Sequence, residues 1–368
     1  MTANTSFTIA VVPGDGIGLE VVPAAIEVIE AARAKVGGFE LVYETLPMGA
    51  GHYRDTGVDM PEETFERIKS ADAILLGAIG LPDVRNEDGT EISPHLRIRE
   101  ELQLYAGVRP IKAYPNSPAR LADSRAADID LVIVRESTEG LFHTQGRGEV
   151  IDDKEASETL KITRATCEKL FDFSFRLAQR RKARGKPGKV TCVDKANVFR
   201  AFAFFRKIFD ERSDGFPDIA IAHAYVDAQA LDLIRRPWDF DVLVMENMFG
   251  DILSDLGGGL VGGMGMAACG EIGDNHALFQ PAHGSAPDIM GQDKANPLAT
   301  ILSGALMLDW LGERSGNDSL GKAALAIEEA VEAAFASGTL RPMEFGGDQG
   351  TMMATHSVLK ALSDAKSG

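Results

Sequence analysis

Short apolar runs, each leading into a polar or glycine-containing turn and then a helix-like stretch, recur along the whole chain. Examples of these runs are residues 7–12, 73–80, 132–134, 189–193 and 241–245. Runs of this length that are rich in β-branched residues and bounded by turn residues predict buried strands. Because these strands alternate with predicted helices, we expect an α/β fold with a largely parallel sheet.

Size and charge narrow the class of protein further. The 368 residues allow two domains, and 38 basic against 55 acidic side chains give a net charge of −17, which argues against binding to nucleic acid or an anionic membrane. No apolar run is long enough to span a bilayer, and the first residues lack a signal-peptide pattern. Three widely spaced cysteines predict reduced thiols and a cytoplasmic location.

The stretch after the last of these strands is the first candidate site. Asp251 and Asp255 lie four residues apart on a predicted helix, which the three glycines at 257–259 should end after about two turns. Two carboxylates on one helix face repel each other unless a cation lies between them. With no Cys or His nearby, the pair suits Mg²⁺ or Mn²⁺ rather than zinc. The simpler alternative is a solvated acidic helix end.

A glycine-rich turn follows the first predicted strand, at residues 13–18. Its glycines invite comparison with the dinucleotide-binding fingerprint, but Gly18 comes one residue too early for G-x-G-x-x-G. A strand-to-helix turn that needs glycine only for its backbone conformation is the expected alternative.

Charged residues also stand at or near the ends of other predicted elements. Arg99, Arg109 and Arg135 have the forked guanidinium that suits substrate carboxylates, although pairing with surface acids is the commoner use of an arginine. Lys195 and Asp227 each follow a later strand, where a solvated lysine and a helix cap are the simpler interpretations.

Three further segments carry a structural prediction. Residues 140–153 alternate and contain glycines, which predicts an exposed hairpin or arm, whereas 155–184 have the pattern of a long helix. Residues 281–289 lack the period of either regular element and suit backbone contacts with a ligand.

Taken together, seven motifs in one order resemble the β-decarboxylating 2-hydroxyacid dehydrogenases, the family of isocitrate, 3-isopropylmalate, homoisocitrate, D-malate and tartrate dehydrogenases. The motifs are residues 13–18, Arg99 with Arg109, Val134-Arg135-Glu136, Asp194-Lys195-Ala196-Asn197, Tyr225-Val226-Asp227, 247–255 and 283–296. They span nearly the whole chain.

The resemblance implies an isopropylmalate dehydrogenase-like two-domain α/β fold with a mixed, largely parallel sheet, and not a Rossmann fold. Residues 1–104 and 262–368 would form a discontinuous, cofactor-binding domain. Residues 105–261 would form a central domain with the dimer interface, the arm and the metal site. Both subunits of a homodimer would contribute to each active site.

The resemblance also implies roles for individual residues in the oxidation of a malate-type 2-hydroxy di- or tricarboxylic acid. The substrate-binding residues would be Arg99, Arg109, Arg135, Ser93, His95 and Asn197. Asp251 and Asp255 with Asp227 of the other subunit would bind Mg²⁺ or Mn²⁺, and Lys195 and Asp227 would be catalytic. The cofactor loop would comprise His283, Gly284, Ser285, Ala286, Asp288, Ile289 and Asn296. A carboxylate at Asp288 would hold the ribose hydroxyls and repel a 2′-phosphate, which predicts NAD rather than NADP.

Two features bear on the exact reaction. Family members commonly carry a tyrosine a few residues after the Val-Arg-Glu motif, where its phenol protonates the substrate carbon, but this chain has Phe142. His143 is adjacent, yet neighbouring side chains of an extended segment point to opposite faces, so a simple replacement is not expected. Substrate choice in the family that the chain resembles is largely determined just before the first arginine. Ser93 and His95 at these positions imply a polar, charged or very small group rather than isopropyl.

Several alternatives stay open on the sequence alone. Without the tyrosine, a water or another acid could protonate the carbon, or the protein could oxidise its substrate without efficient decarboxylation. It could also be a weakened or regulatory paralogue that binds substrate or NAD. Metal-dependent hydrolysis or phosphoryl transfer on the aspartate pair is a further possibility, although no nucleophile motif or phosphate loop accompanies the pair.

Overall fold

The computed structural model describes residues 5–118 and 120–365. In this part of the chain, a ten-stranded sheet has the order β2-β1-β3-β12-β11-β4-β5-β10-β8-β9, and β6 and β7 form a separate ribbon. The strands are β1 (Ser6–Gly14), β2 (Glu40–Thr45), β3 (Ala73–Ala78), β4 (Ala106–Lys112), β5 (Asp130–Glu136), β6 (Glu149–Ile151), β7 (Glu155–Ser157), β8 (Lys189–Asp194), β9 (Ala220–Tyr225), β10 (Val242–Met245), β11 (Ala268–Ile272) and β12 (Ala277–Pro281).

Helices pack around this sheet. They are α1 (Gly18–Val36), α2 (Ala50–Thr56), α3 (Glu62–Ser70), α4 (Pro94–Glu101), α5 (Arg164–Ala183), α6 (Arg200–Ser213), α7 (Val226–Arg235), α8 (Asn247–Leu260), α9 (Leu298–Ser315), α10 (Asp318–Ala336) and α11 (Thr351–Asp364). Among the described residues, no helix is both long enough and apolar enough to cross a membrane. The three cysteines are unpaired and buried.

The sheet is mixed but mostly parallel, as predicted. Among the described strands of this sheet, antiparallel pairing joins β12 to β11, β11 to β4 and β4 to β5, whereas the other neighbours run parallel. The first five strands of the order come from residues 6–78 and 268–281, and the last five come from residues 106–245. This division supports the proposed domains at 1–104 with 262–368 and at 105–261, whose boundaries stay a prediction.

Two predicted helix boundaries were wrong. Helix α8 does not end at its three glycines but continues to Leu260. A Cβ on Gly257 would lie 2.1 Å from Cδ1 of Ile111, so the glycine lets the helix approach β4 closely, and this packing outweighs the low helix propensity of glycine. The helix predicted from residue 155 begins only at Arg164, because 155–157 pair with β6 in an exposed ribbon.

The core beside the central strands is rich in phenylalanine. Helices α5 and α6 pack through Phe171, Phe205 and Phe209, with ring centroids 4.7 Å and 5.3 Å from that of Phe171. All three side chains are fully buried. Burial of each of them contributes about 2–3 kcal/mol, which fixes the helices against β8 and β10 and so positions the loops at the ends of these strands.

Candidate active site

Three arginines from separate elements converge near the middle of the sheet. Arg99 lies on α4, Arg109 on β4 and Arg135 on β5, and they are only 6%, 7% and 5% exposed. Burial, reinforced by the charge of Arg109, lowers the pKa of Arg135 to about 10. Buried positive charges this close together favour an anion as a further partner.

Each arginine has its own anchor. Nη2 of Arg99 lies 3.0 Å from a carboxylate oxygen of Glu271, a residue of β11 with no solvent exposure. Nη1 of Arg109 donates to Oγ of Ser254 at 2.9 Å. Nη2 of Arg135 donates to Oδ1 of Asn247 at 2.7 Å. The side chains are therefore held in place while the Nε atoms of Arg99 and Arg109 have no hydrogen-bond partner among the described residues.

The anchors Glu271, Ser254 and Asn247 were not predicted as site residues. Glu271 is the one charged residue in the otherwise apolar five-residue strand β11, and this is the sequence feature that could have identified it as a buried, functional carboxylate. Its partner Arg99 is remote in the sequence, so pattern analysis gave no reason to pair the two. Asn247 and Ser254 lie within the motif at 247–255. In a sequence, an asparagine at the start of a helix and a serine inside it are ordinary residues, so neither pointed to an arginine partner.

The predicted metal carboxylates extend from α8 towards these arginines. Asp251 contacts Nη1 of Arg135 and lies 3.6 Å from Nη2 of Arg109, and Asp255 lies 3.6 Å from Nη1 of Arg109. Both carboxylate side chains stay more than half exposed, at 54% and 57%. Partial burial raises the pKa of Asp255, and the charge of Arg109 opposes this shift. The two carboxylates share one face, as predicted, and present oxygen donors suited to Mg²⁺ or Mn²⁺.

Lys195 and Asp227 form a second cluster, at the ends of β8 and β9. The ammonium of Lys195 pairs with Oδ1 of Asp227, and this hydrogen bond lowers the pKa of the Asp227 carboxyl. Asn197, the third predicted residue here, is exposed. Among the described residues of one chain, no three metal-binding side chains come together, so Asp227 does not join Asp251 and Asp255.

Ser93 and His95 lie at the start of α4, one turn before Arg99. Ser93 precedes the helix but its hydroxyl caps no helical N–H, and Nδ1 of His95 is buried with no partner in the described chain. Burial, followed by the charge of Arg99, lowers the pKa of His95 to about 3. A neutral imidazole therefore lies beside Arg99 at neutral pH.

The predicted cofactor loop follows β12 and packs against the first glycine turn. Nε2 of His283 is buried without a partner among the described residues, and burial lowers the pKa of this side chain. Asp288 is exposed, and Gly284 before it is also exposed. Ala286 adopts a left-handed backbone conformation (φ 37°), and Ile289 packs beside Ile17.

Two residues fasten this loop to its surroundings. Ser285 is 7% exposed, its hydroxyl donates to the carbonyl of Gly80, and its carbonyl accepts from the N–H of Ile17 at 2.8 Å. Asn296 is 8% exposed and donates to a carboxylate oxygen of Glu344 at 2.9 Å. The loop is therefore anchored at both ends while Asp288 projects into solvent.

The glycine turn at residues 13–18 packs against other parts of the protein chain. A Cβ on Gly16 would lie 2.0 Å from the carbonyl oxygen of Ser285. The carboxylate of Asp15 accepts the N–H groups of Ala50, Gly51 and Gly80, each at 2.8 Å. Close backbone packing accounts for these glycines, in agreement with the backbone role expected as the alternative to a dinucleotide-binding turn.

The segment with Phe142 and His143 is not extended, so this premise of the sequence analysis was wrong. Residues Leu141–Thr144 form a single 3-10 turn. Phe142 and His143 both line a cavity of about 190 Å³ that Arg99 and Leu96 also line. A larger cavity, of about 710 Å³, lies at the opposite ends of β4 and β5, beside Lys112 and Asp130.

A family model described as isocitrate/isopropylmalate dehydrogenase matches residues 8–362. The chain belongs to the isocitrate/isopropylmalate dehydrogenase family. It is 43% identical to the 3-isopropylmalate/3-methylmalate dehydrogenase of Methanocaldococcus jannaschii, over 97% of this chain and 99% of the relative. It is 38% identical to the 3-isopropylmalate dehydrogenase of Aquifex aeolicus, over 98% of both chains.

Solved structures agree with this family assignment. The isocitrate dehydrogenase of Methylococcus capsulatus superimposes with a TM-score of 0.82 at 33% identity, covering 97% of this chain and 99% of that one. The predicted fold and the predicted enzyme class, a decarboxylating dehydrogenase of 2-hydroxy acids, are thereby confirmed. The roles of individual residues stay predictions.

Proposed function

We propose that this protein catalyses the NAD-dependent and divalent-metal-dependent oxidative decarboxylation of a malate with a small or polar substituent on C3. The observation that carries the proposal is the convergence of the buried Arg109 and Arg135 on Asp251, with Arg99 beside them. Guanidinium groups bind carboxylates through paired hydrogen bonds, and exposed aspartates bind a hard cation. A malate supplies two carboxylates and a hydroxyl to match both.

The chemistry of the donor groups fits both cofactors. Asp251 and Asp255 offer oxygen ligands only, which suits Mg²⁺ or Mn²⁺. On the cofactor loop, the unpartnered Nε2 of His283 and the exposed carboxylate of Asp288 fit a nucleotide with free ribose hydroxyls. When bound, NAD accepts the hydride from C2 of the substrate, and the metal ion lowers the pKa of the 2-hydroxyl and withdraws electrons from the ketone.

The residues of the chain then have distinct tasks. The three arginines hold the substrate carboxylates, so that the C2 hydrogen and the carboxylate to be lost keep fixed orientations. The neutral amine of Lys195 takes the proton of the 2-hydroxyl and becomes an ammonium, which the carboxylate of Asp227 then pairs with and holds in position. Loss of CO₂ from C3 leaves an enolate, which must gain a proton at that carbon.

We further propose that each active site is shared between two copies. Within the described part of one chain, Asp227 does not join Asp251 and Asp255, yet the segments that carry both clusters expose apolar side chains. These side chains are Val198 at 59%, Phe199 at 55%, Leu231 at 54%, Ile234 at 44%, Met248 at 42% and Ile252 at 61% exposure. Apolar residues concentrated this way mark an association surface, and a two-fold dimer would bring Lys195 and Asp227 of one copy to Asp251 and Asp255 of the other.

The size and polarity of the substituent on C3 are inferred from two side chains at the start of α4. The buried Nδ1 of His95 has no hydrogen-bond partner among the described residues, and an isopropyl group would leave it unpaired. The hydroxyl of Ser93 donates to the carbonyl of Glu91 at 3.4 Å and can still accept a hydrogen bond from a polar substituent. The relative from Methanocaldococcus jannaschii is named for 3-methylmalate as well as 3-isopropylmalate, and a methyl group is small enough to leave room for water at these atoms. A methyl, hydroxyl or carboxylated substituent therefore fits best.

The test is NADH formation by the purified protein with Mn²⁺, across D-malate, tartrates, isocitrate, homoisocitrate, 3-methylmalate and 3-isopropylmalate. We expect turnover with NAD that EDTA abolishes and Mn²⁺ restores, with a higher kcat/KM for a small or polar substituent than for isopropyl. Asp255→Asn should lose metal affinity, whereas the matched change Asp348→Asn, at an exposed aspartate paired with Arg341, should not. Failure of all these malates with folded protein would contradict the proposal.

A regulatory paralogue is the second candidate, favoured by Phe142. Phe142 lines the cavity beside Arg99, and its phenyl ring has no proton to donate. Such a paralogue would bind NAD and a malate, measured by calorimetry, without forming NADH in a single turnover.

A further inference from the structure

The proposed reaction requires an acid at a defined place. After CO₂ leaves, the electron pair of the broken C–C bond lies in the enolate, and C3 must gain one proton before the product forms. The cavity of about 190 Å³ beside Arg99 adjoins the carboxylate-binding group of the substrate, so it is the place to search for that acid. The inference rests on the proposed function and adds a catalytic residue to it.

The 3-10 turn presents two neighbouring side chains to this one cavity. With about three residues per turn, successive side chains on Leu141–Thr144 are roughly 120° apart rather than on opposite faces, and Phe142 and His143 both line the cavity. Both residues are half-buried. The hydrogen bonds of His143 within the described chain are made by its backbone, to Gly140 and Arg147, which leaves the imidazole available to a substrate.

The turn is fixed on both sides. The N–H and C=O of Gly140 pair with those of Lys161, at 3.0 Å and 3.1 Å. Gly140 has φ 71°, and a Cβ there would lie 2.3 Å from a carboxylate oxygen of Glu246, so only glycine fits. The carboxylate of Glu139 accepts the N–H of Thr163 at 2.8 Å. These contacts hold the turn before any ligand binds, which is the preorganisation that proton transfer to carbon needs.

The other groups that line the cavity are less suited to this step. Arg99 and Arg147 do not release protons in the neutral range. Glu139 is engaged with Thr163 and Thr166, and Glu100 is exposed. Lys161 is also exposed. Imidazole is the side chain whose ordinary titration lies nearest neutrality, where general acids work best.

We propose that His143 is the general acid that protonates C3 of the enolate. The bond between C3 and the departing carboxylate breaks, CO₂ leaves, and the electron pair forms the enolate double bond. That pair then forms a C–H bond with the ring proton of the imidazolium, while the N–H electrons stay on the nitrogen. The neutral imidazole takes its next proton from water.

The test measures protonation separately from oxidation, with a 3-alkylmalate substrate in D₂O. The product carries one solvent deuteron on C3, and it is trapped at once as the 2-hydroxy acid so that its configuration can be determined. His143→Gln should keep the burst of NADH, lose about 10² in steady-state turnover, and give C3 of mixed configuration, because free enol is protonated on either face in solution. Gln145→Ala, on the same cavity wall, is the matched control and should stay stereospecific.

A rescue variant distinguishes catalysis from folding. Phe142→Tyr places a phenol on the same turn, so in the His143→Gln background it should restore turnover and a single configuration. Stereospecific product from His143→Gln at an unchanged rate would overturn the role of His143 while leaving the proposed function intact. Mixed configuration that Phe142→Tyr does not correct would also overturn it, and absence of NADH from the wild-type protein would overturn the proposed function itself.

Discussion

The guanidinium of Arg99 is held by the carboxylate of Glu271, at 3.0 Å and without solvent exposure of the carboxylate. Arg99, Arg109 and Arg135 hold the pKa of Glu271 low, against the effect of its burial. Glu271 is therefore the fixed negative charge beneath the candidate substrate site. It compensates the arginines when no substrate is bound.

Removal of this charge should destabilise the protein. Glu271→Gln leaves a buried cation without its partner, and we expect the free energy of unfolding to fall by about 3 kcal/mol. A malate should recover more stability in the variant than in the wild type, because it supplies negative charge to the same arginines. Urea denaturation with and without malate measures both effects. The control Glu332→Gln breaks a partly exposed pair with Lys112 and should cost about 1 kcal/mol or less. Equal losses for the two variants would contradict the account.

The neutral imidazole of His95 should make stability depend on pH. Its pKa is about 3 in the folded protein and ordinarily 6.5, so below pH 6.5 the unfolded chain binds a proton that the folded protein does not. The contribution of His95 to the free energy of unfolding is therefore fully present above pH 6.5, and it is lost as the pH falls towards 3. From pH 7 to pH 5 the loss should be about 2 kcal/mol.

The matching variant is His95→Gln, which cannot titrate. Denaturation curves at several pH values should show a shallower decline for this variant than for the wild type. His276→Gln removes a half-buried histidine that contacts the backbone carbonyl of Lys69, and it controls for the loss of a histidine as such. Parallel curves for wild type and His95→Gln would show that His95 is not kept neutral.

The choice of cofactor should depend on Asp288. Its carboxylate is exposed on an anchored loop, so a substitution there changes the charge presented to the nucleotide without disturbing the core. Asp288→Lys should lower the preference for NAD over NADP by at least about tenfold, because it replaces repulsion of a 2′-phosphate with attraction. Ratios of kcat/KM for the two cofactors test this, and Asp348→Lys controls for net charge. An unchanged ratio would place the ribose elsewhere.

Strands β1, β3, β5, β8 and β10 were predictable because a buried strand is a local pattern in the sequence. Other features depend on contacts between remote residues. The glycines of α8 predict the end of a helix, and only the close packing of Gly257 against Ile111 explains why the helix continues through them. Glu271 has no sequence feature that points to Arg99. Helix α11 was not predicted at all, because its buried positions acquire meaning only by packing on α1 and α10.

Part of the candidate site followed from the sequence for a similar reason. Asp251 and Asp255 share a face because they are four apart on one helix, which is a local relation. The turn at Phe142 was misjudged because a 3-10 turn of four residues has no period to detect. Asp227 does not join Asp251 and Asp255 within the described part of one chain, and the proposed sharing of a site between two copies is a relation that no single-chain pattern describes.

The most direct test of the shared site is complementation between two inactive variants. Asp251→Asn and Lys195→Ala should each lack activity alone. In a mixed dimer, one site receives both substitutions and the other receives neither, so a random mixture should recover about a quarter of the wild-type activity. Asp251→Asn mixed with Asp255→Asn is the control and should recover none, because these carboxylates come from the same copy. Mixed dimers of the first pair that stay inactive would show that each chain completes its own site, and would contradict the account.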